Sequence, residues 1–392
     1  MSIAYQGVLS RRRYVVLLVV LMSLFYFLQT TLRDARPSSW TITTPAVQTL
    51  ELQTTPVDVS TPLPDTPSPP PLPGHPCLHR ERANATLLML ARNSDLAGAM
   101  SSVSHVEDRF NKHCNYSWVF LNEEPFSDEF KREMSNMTNG SVSFGLVPKE
   151  HWYQPQWINE DLAKAGRDKM VEQNIIYAES VPYRNMCRFN SGYFFKHALL
   201  QQYRYYWRVE PDIEYFCDIP YDPFHFMQEN DKIYGFTISF FEWQPTIPTL
   251  WANVKDFMAK YPQYVADDNA MNYLSDDGGE TYNLCHFWSN FEIADMDFWR
   301  GPAYTAFFDF LESRGGFYYE RWGDAPVHSI AVALFAPKTR LHFFKDIGYR
   351  HTPFQHCPQG PEWKANSCNC EQWNTLDYRD QSCIPRYQKL FQ

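Results

Sequence analysis

Glu210, Pro211 and Asp212 end an apolar and aromatic run, Tyr205-Tyr206-Trp207-Arg208-Val209. Two carboxylates one residue apart offer hard oxygen donors, and such donors suit Mg²⁺ or Mn²⁺ carrying a diphosphate. Proline gives no N–H to a ladder and fixes φ, so it stops the run where the carboxylates begin. The run has strand composition, and open α/β sheets bind ligands at strand ends. A solvated acidic turn has the same spelling, so the surroundings must decide.

Other residues with chemical potential lie on either side. Tyr183 to Gly192 holds Arg184, Arg188, Asn185 and Asn190. Guanidinium forks match phosphate or hydroxyl acceptors; equally, the arginines could be surface residues ahead of a helix capped by Asn190 or Ser191. Glu292 sits between Phe291 and Ile293, an apolar frame in which a carboxylate needs a partner or a task. Asp295 and Asp297 spell either a rival metal pair or a helix cap before Phe298-Trp299. Asp324 opens the apolar stretch 325–335 as a cap or a ligand. His342, His351 and His356 follow in an aromatic segment, where a lone histidine is more often structural than a ligand.

The elements that must position these groups read as alternating strands and helices. Apolar runs predict strands at 86–91, 116–121, 141–147 and 205–209, with helices over 96–113, 128–134, 160–179 and 193–203. Strand, helix, strand, helix, strand argues for a parallel sheet with crossover helices. No Gly-x-Gly-x-x-Gly and no P-loop occurs, so a dinucleotide oxidoreductase or a kinase has no motif behind it.

The N-terminus sets the compartment. Arg11-Arg12-Arg13 precedes a nearly unbroken apolar segment, 14–32, which is adequate for a membrane span. Basic residues before it predict a short cytoplasmic tail, 1–13, and a lumenal remainder. Residues 33–76 carry eleven of the 28 prolines among Thr and Ser, the composition of an extended stem. Residues 77–392 form the expected catalytic body. All nine cysteines lie beyond the span, so up to four bridges leave at least one thiol free. The Cys357 to Cys383 cluster reads as disulfide staples rather than a zinc site in an oxidising lumen. Asn84, Asn115, Asn136 and Asn139 each begin an N-glycosylation pattern. Net charge is −10 and the body has no basic run, which excludes nucleic acid as a partner. Aromatic residues make up 17% of the chain, a lean towards sugar handling.

Several of these motifs together resemble glycosyltransferase family 15, the fungal α-1,2-mannosyltransferases of the secretory pathway. The resemblance rests on 183–190, Tyr205 to Asp212, Asn290-Phe291-Glu292-Ile293, Tyr319 to His328, and Asp346-Ile347-Gly348-Tyr349 with His351. It implies a GT-A fold: a Rossmann-like nucleotide-binding mixed sheet flanked by helices, here after one N-terminal transmembrane helix. It also implies GDP-mannose as donor, a mannosylated glycoprotein as acceptor, Mn²⁺ as cofactor, a Golgi membrane location and retention of the α configuration. By position, Glu210 and His351 belong to the metal–diphosphate site, with Asp212 a further metal candidate on chemistry. Glu292 falls near the reacting sugar carbon as nucleophile or cation stabiliser, and Tyr183 lines its pocket. Arg208 and Asp324 are implied sugar or diphosphate contacts. Two other classes remain in view: a lumenal glycoside hydrolase using Glu292 and Asp324, and a mannose-binding module without activity.

Overall fold

Side-chain alternation along the strands decides where everything else sits. In β1 (Ala85–Leu90), Leu87 and Met89 enter one core and Leu88 the other. In β2 (Ser117–Asn122), Trp118 and Phe120 join the first core, Val119 and Leu121 the second. Successive side chains on a strand face opposite sides, so this sheet is buried on both faces, as sheets covered by crossover helices are. β3 (Val142–Leu146) completes a parallel set with β1 and β2. Helices α1 (Leu96–Val106) and α2 (Asp128–Asn136) make the crossovers, and Ser127 Oγ caps the second by accepting from Phe130 N at 3.1 Å.

The computed structural model describes residues 75–78 and 80–392. The expected tail, anchor and nearly all of the stem lie outside the described residues. Among those described, no helix is long and apolar enough to cross a membrane.

The helix expected over 160–179 is shorter, α3 (Glu160–Glu172). The one expected over 193–203 is absent: 194–196 and 198–200 are single 3-10 turns. Its place is taken upstream by α4 (Val181–Gly192). Ser180 Oγ accepts from Tyr183 N at 3.2 Å, and Pro182 fits a first helical turn, where no donor is missed. The Arg/Asn-rich segment is therefore the helix itself.

β4 (Tyr205–Arg208) flanks β1 on its other side, parallel to it. There the sheet changes direction. β5 (Ile213–Tyr215) leaves it, β6 (Tyr234–Phe236) returns, and β7 (Ser239–Phe241) pairs with β8 (Cys285–Phe287). β9 (Glu292–Asp295) runs antiparallel to both β4 and β6, and β10 (Leu341–Phe343) lies parallel to β6. The order is β10-β6-β9-β4-β1-β2-β3. A small antiparallel sheet joins β5 to β11 (Tyr349–His351) and β12 (Phe354–His356).

Three more helices matter for the site: α5 (Met296–Arg300), α6 (Pro302–Glu312) and α7 (Asp324–Leu334). Asp295 caps α5, its Oδ1 accepting from Asp297 N at 2.9 Å, so the cap reading of this pair holds. Residues of α4 and α7, including Phe189, Val327 and Ile330, share a core with Leu88, Tyr206 and Ala294. Disulfides join Cys77–Cys114, Cys217–Cys368, Cys285–Cys383 and Cys357–Cys370. Cys187 stays a buried free thiol.

Candidate active site

Reversal of β9 brings two opposite charges side by side. Arg208 ends β4, Glu292 begins β9, and the two are register partners. Tyr206 and Ala294 pair two residues along, so all four side chains share the face beneath α4 and α7. Glu292 is only 1% exposed. Its Oε1 accepts from the Tyr206 hydroxyl at 2.6 Å, and that hydroxyl accepts from Trp299 Nε1 at 3.1 Å. Oε2 lies 3.0 Å from Nδ1 of His328, one turn into α7. Nε2 of His328 lies 3.0 Å from the backbone oxygen of Asn190 on α4, and the ring stacks on Trp299 at 4.3 Å. Burial and the Glu292 charge push the Tyr206 phenol well above its ordinary value.

Arg208 is held on two sides. Its Nε donates to Glu210 Oε1 and its Nη1 to Asp324 Oδ2, both at 2.6 Å. Ser289 Oγ donates to the same Asp324 oxygen at 2.7 Å. Burial opposes both charges, yet their attraction prevails. Arg208 is held well above its usual value, and Asp324 below the usual carboxylate range. A carboxylate so held is a poor proton donor, so Asp324 is not suited to act as a general acid.

A pocket lies against these groups, lined by Leu88, Leu90, Leu121, Phe189, Asn190, Phe194, Tyr206, Arg208 and Glu292. It sits at the C-terminal ends of β1, β2 and β4, the edge where such sheets take ligands. Tyr183, on the first turn of α4, stacks on Tyr177 at 4.6 Å beneath the Arg321 guanidinium, 5.2 Å from its ring. The Cys187 sulfur and burial raise its phenol well above normal.

The metal candidates divide. Glu210 gives Oε1 to Arg208, while its Oε2 has no protein partner among the described residues. His351 pairs in register with Ile213, just past the Glu210-Pro211-Asp212 turn. Its Nδ1 lies 3.2 Å from Thr352 O, and Trp288 stands edge-on to the ring at 5.4 Å. One carboxylate oxygen and one imidazole nitrogen fit a divalent cation that keeps positions for diphosphate oxygens and water. Asp212 turns elsewhere. Its φ is +61°, its N–H donates to Gly98 O at 3.2 Å, and a Cβ on Gly98 would come within 2.6 Å of its carboxylate oxygen. Among the described residues, the one group of three ligand-type side chains within 4.8 Å of one another is His75, Cys77 and Cys114, and both cysteines are in a disulfide. Glu210, Asp212 and His351 therefore form no three-ligand cage.

The profile of the glycolipid 2-alpha-mannosyltransferase family matches residues 55–392. The chain belongs to this family. Glycolipid 2-alpha-mannosyltransferase 1 of Candida albicans is 53% identical over 311 residues, 79% of this chain and 72% of that protein. The crystal structure of core-mannan synthase A (CmsA/Ktr4) from Aspergillus fumigatus, a Mn/GDP form, superposes with TM-score 0.75 at 42% identity. It covers 82% of this chain and 87% of that one. The Saccharomyces cerevisiae mannosyltransferase Ktr4p in complex with GDP gives TM-score 0.76 at 42% identity, covering 79% and 82%.

Within this 2-alpha-mannosyltransferase family member, the expected site residues fall into two groups. Asn190, Arg208 and Glu292 line the pocket, and Glu210 and Asp324 flank Arg208. Arg184 and Arg188 are not brought to it, which corrects their expected substrate contacts. Arg184 is fully buried and donates to the carbonyls of Glu320 and Ser180, each at 3.1 Å. Arg188 donates to Glu312 Oε1 at 2.7 Å and to the Tyr193 hydroxyl at 2.8 Å. Both face into the packing of α4 because that segment is helical, with little left over for a ligand. Tyr206 and His328 escaped sequence reasoning. The available signals were spacing alone: Tyr206 is two residues before Arg208 on a strand, and His328 four after Asp324 on a helix.

Proposed function

We propose that this chain is a retaining α-1,2-mannosyltransferase with a GT-A fold. It moves mannose from GDP-mannose to the 2-hydroxyl of mannose on O- or N-linked glycans of glycoproteins. The observation that carries the reading is Glu292: a buried carboxylate at the sheet's C-terminal edge, beside Arg208, in a family whose solved relatives hold GDP and Mn.

Glu210 and His351 hold Mn²⁺, with Asp212 outside the set. The cation supplies charge neutralisation for the departing diphosphate. Arg208 holds Glu210 in place through its 2.6 Å contact. Glu292 faces the carbon that becomes oxocarbenium-like, and Tyr206 fixes its orientation. Both routes to retention, a covalent glycosyl–Glu292 intermediate or front-face attack within an ion pair, need this carboxylate charged. Asn190 borders the same space.

Residues 1–13 form a cytoplasmic tail, 14–32 a signal anchor in the Golgi membrane, 33–76 the stem and 77–392 the lumenal catalytic domain. Three arginines ahead of the apolar segment support that orientation, and four disulfides suit an oxidising lumen.

Incubating the purified full chain with GDP-mannose, α-methyl mannoside and Mn²⁺ tests the reading. GDP release with an α-1,2-linked disaccharide by NMR, abolished by EDTA, is the expected result. Metal-independent hydrolysis of mannosides, or mannoside binding with no GDP release from folded protein, overturns it.

A further inference from the structure

His328 is fully buried, and each of its ring nitrogens meets an oxygen. The partner of Nε2 is the backbone carbonyl of Asn190, at 3.0 Å. A carbonyl only accepts, so Nε2 carries a hydrogen. The partner of Nδ1 is Glu292 Oε2, also at 3.0 Å. One proton must then lie in the Nδ1–Oε2 contact, because two lone pairs facing each other there would repel. The opposite oxygen is already occupied in a defined sense. Trp299 Nε1 can only donate, so the Tyr206 hydroxyl accepts from it and gives its own hydrogen to Glu292 Oε1.

We propose that His328 is a positioning residue for Glu292, holding that carboxylate ionised and fixed by donating from Nδ1 as an imidazolium. This rests on the reading of Glu292 as the group at the reacting carbon. A carboxylate taken out of water favours its neutral form unless donors or opposite charge compensate. The surroundings of the pair offer these compensations. Tyr206 donates from β4, Arg208 lies opposite in register, and Asp324 sits one turn earlier on α7 and attracts the imidazolium. Trp299 on α5 stacks on the ring, and the Tyr304 ring on α6 stands 6.0 Å away. Asn190 joins the arrangement through its backbone alone, so the histidine ties α4 to α7 at the carboxylate. No proton leaves the pair during transfer. It stays on Nδ1, so by either route Glu292 meets the reacting carbon as an unprotonated carboxylate while the bonding pair of the glycosyl–phosphate bond leaves with the phosphate.

Two substitutions separate this role from mere packing, since both remove the ring that stacks on Trp299. His328→Asn keeps a donor where Nδ1 stands and loses the one to Asn190. His328→Gln keeps a donor where Nε2 stands and leaves Glu292 Oε2 without one. In the full chain, kcat for GDP release from GDP-mannose should fall about 10- to 100-fold in His328→Gln, the worth of a hydrogen bond to a charged group. KM for GDP-mannose should hold, and His328→Asn should recover at least about tenfold of the lost kcat on the same reasoning. Equal losses, or a better Gln than Asn variant, overturn the proposal. If Glu292→Gln itself turns over normally, the reading of Glu292 has failed instead. Should neither His328 variant fold, ¹⁵N-histidine NMR of the unmodified chain decides. An imidazole protonated on both nitrogens at neutral pH, and losing one proton in Glu292→Gln, is expected. A neutral His328 ring in the unmodified chain overturns the proposal.

Discussion

Arg208 and Glu292 face each other across the β4–β9 pairing, the last residue of one strand against the first of the next. Because β9 runs against β4, its beginning lands at the edge where β4 ends. A parallel β9 would have set its last residue, Asp295, at that edge and sent Glu292 to the far side of the sheet. The direction of one short strand therefore decides which carboxylate meets the pocket.

Glu292→Gln keeps the size of the side chain while removing its charge. Turnover should fall at least about 10²- to 10³-fold, as when a preorganised electrostatic group is lost. GDP affinity by calorimetry should stay put, because no contact of the nucleotide is assigned to this residue. Near-normal turnover would remove Glu292 from the reaction.

Chelation should abolish activity and Mn²⁺ restore it. Glu210→Ala and His351→Ala should each raise the Mn²⁺ concentration needed by more than the about 10- to 100-fold that loss of an outer partner costs a metal site. Asp212→Asn should leave the Mn²⁺ requirement unchanged, because its carboxylate lies over Gly98. A Mn²⁺ titration of GDP release distinguishes the three, and sensitivity at Asp212 would return it to the metal set.

Asp324→Ala removes one partner of a buried pair and leaves Arg208 with Glu210 as its one hydrogen-bonded carboxylate. Stability should drop by about 3–5 kcal/mol, read from urea unfolding. The pH dependence has a definite sign. Asp324 has its folded value below the ordinary 3.8, so its contribution is complete above that pH. It is lost as pH falls through the lower folded value. The stability gap between the native chain and Asp324→Asn should thus narrow below pH 3.8. A gap that stays constant into acid would mean that the pair does not hold the charge.

Arg184→Met should lower the melting temperature and leave kcat and KM of the folded fraction unchanged. The guanidinium donates to the carbonyls of Glu320 and Ser180, far from any substrate role, and burial lowers its pKa to about 10. A raised KM for GDP-mannose with unchanged stability would restore the substrate contact.

The parallel half of the fold was legible in the sequence because local pattern suffices there. Runs such as 86–91 and 116–121 are apolar throughout, as strands buried on both faces must be. Glu292 announced itself as a carboxylate in an apolar frame. What stayed hidden depended on pairing between distant segments. Nothing near Glu292 says that it meets Arg208, and nothing near His351 says that β11 joins β5. The Arg184 helix was misplaced for a local reason: the start signal Ser180-Val181-Pro182 was outweighed by the arginines and amides that follow it. His328 was invisible because a histidine in an apolar helix looks the same whether it fills space or holds a proton.

The Arg208–Glu292 register has a consequence for how the chain reaches its native state. A strand that slips by one residue turns every side chain to the opposite face. For β9, a slip would press Glu292 into the aromatic packing of Trp207, Phe291 and Tyr215 and strand Arg208 opposite Ile293 or Phe291. An uncompensated carboxylate there costs several kcal/mol, a large part of the stability of a whole domain. The reactive carboxylate thus serves as an alignment key for the sheet, and molecules that pair wrongly are penalised during folding, before they could ever meet a sugar.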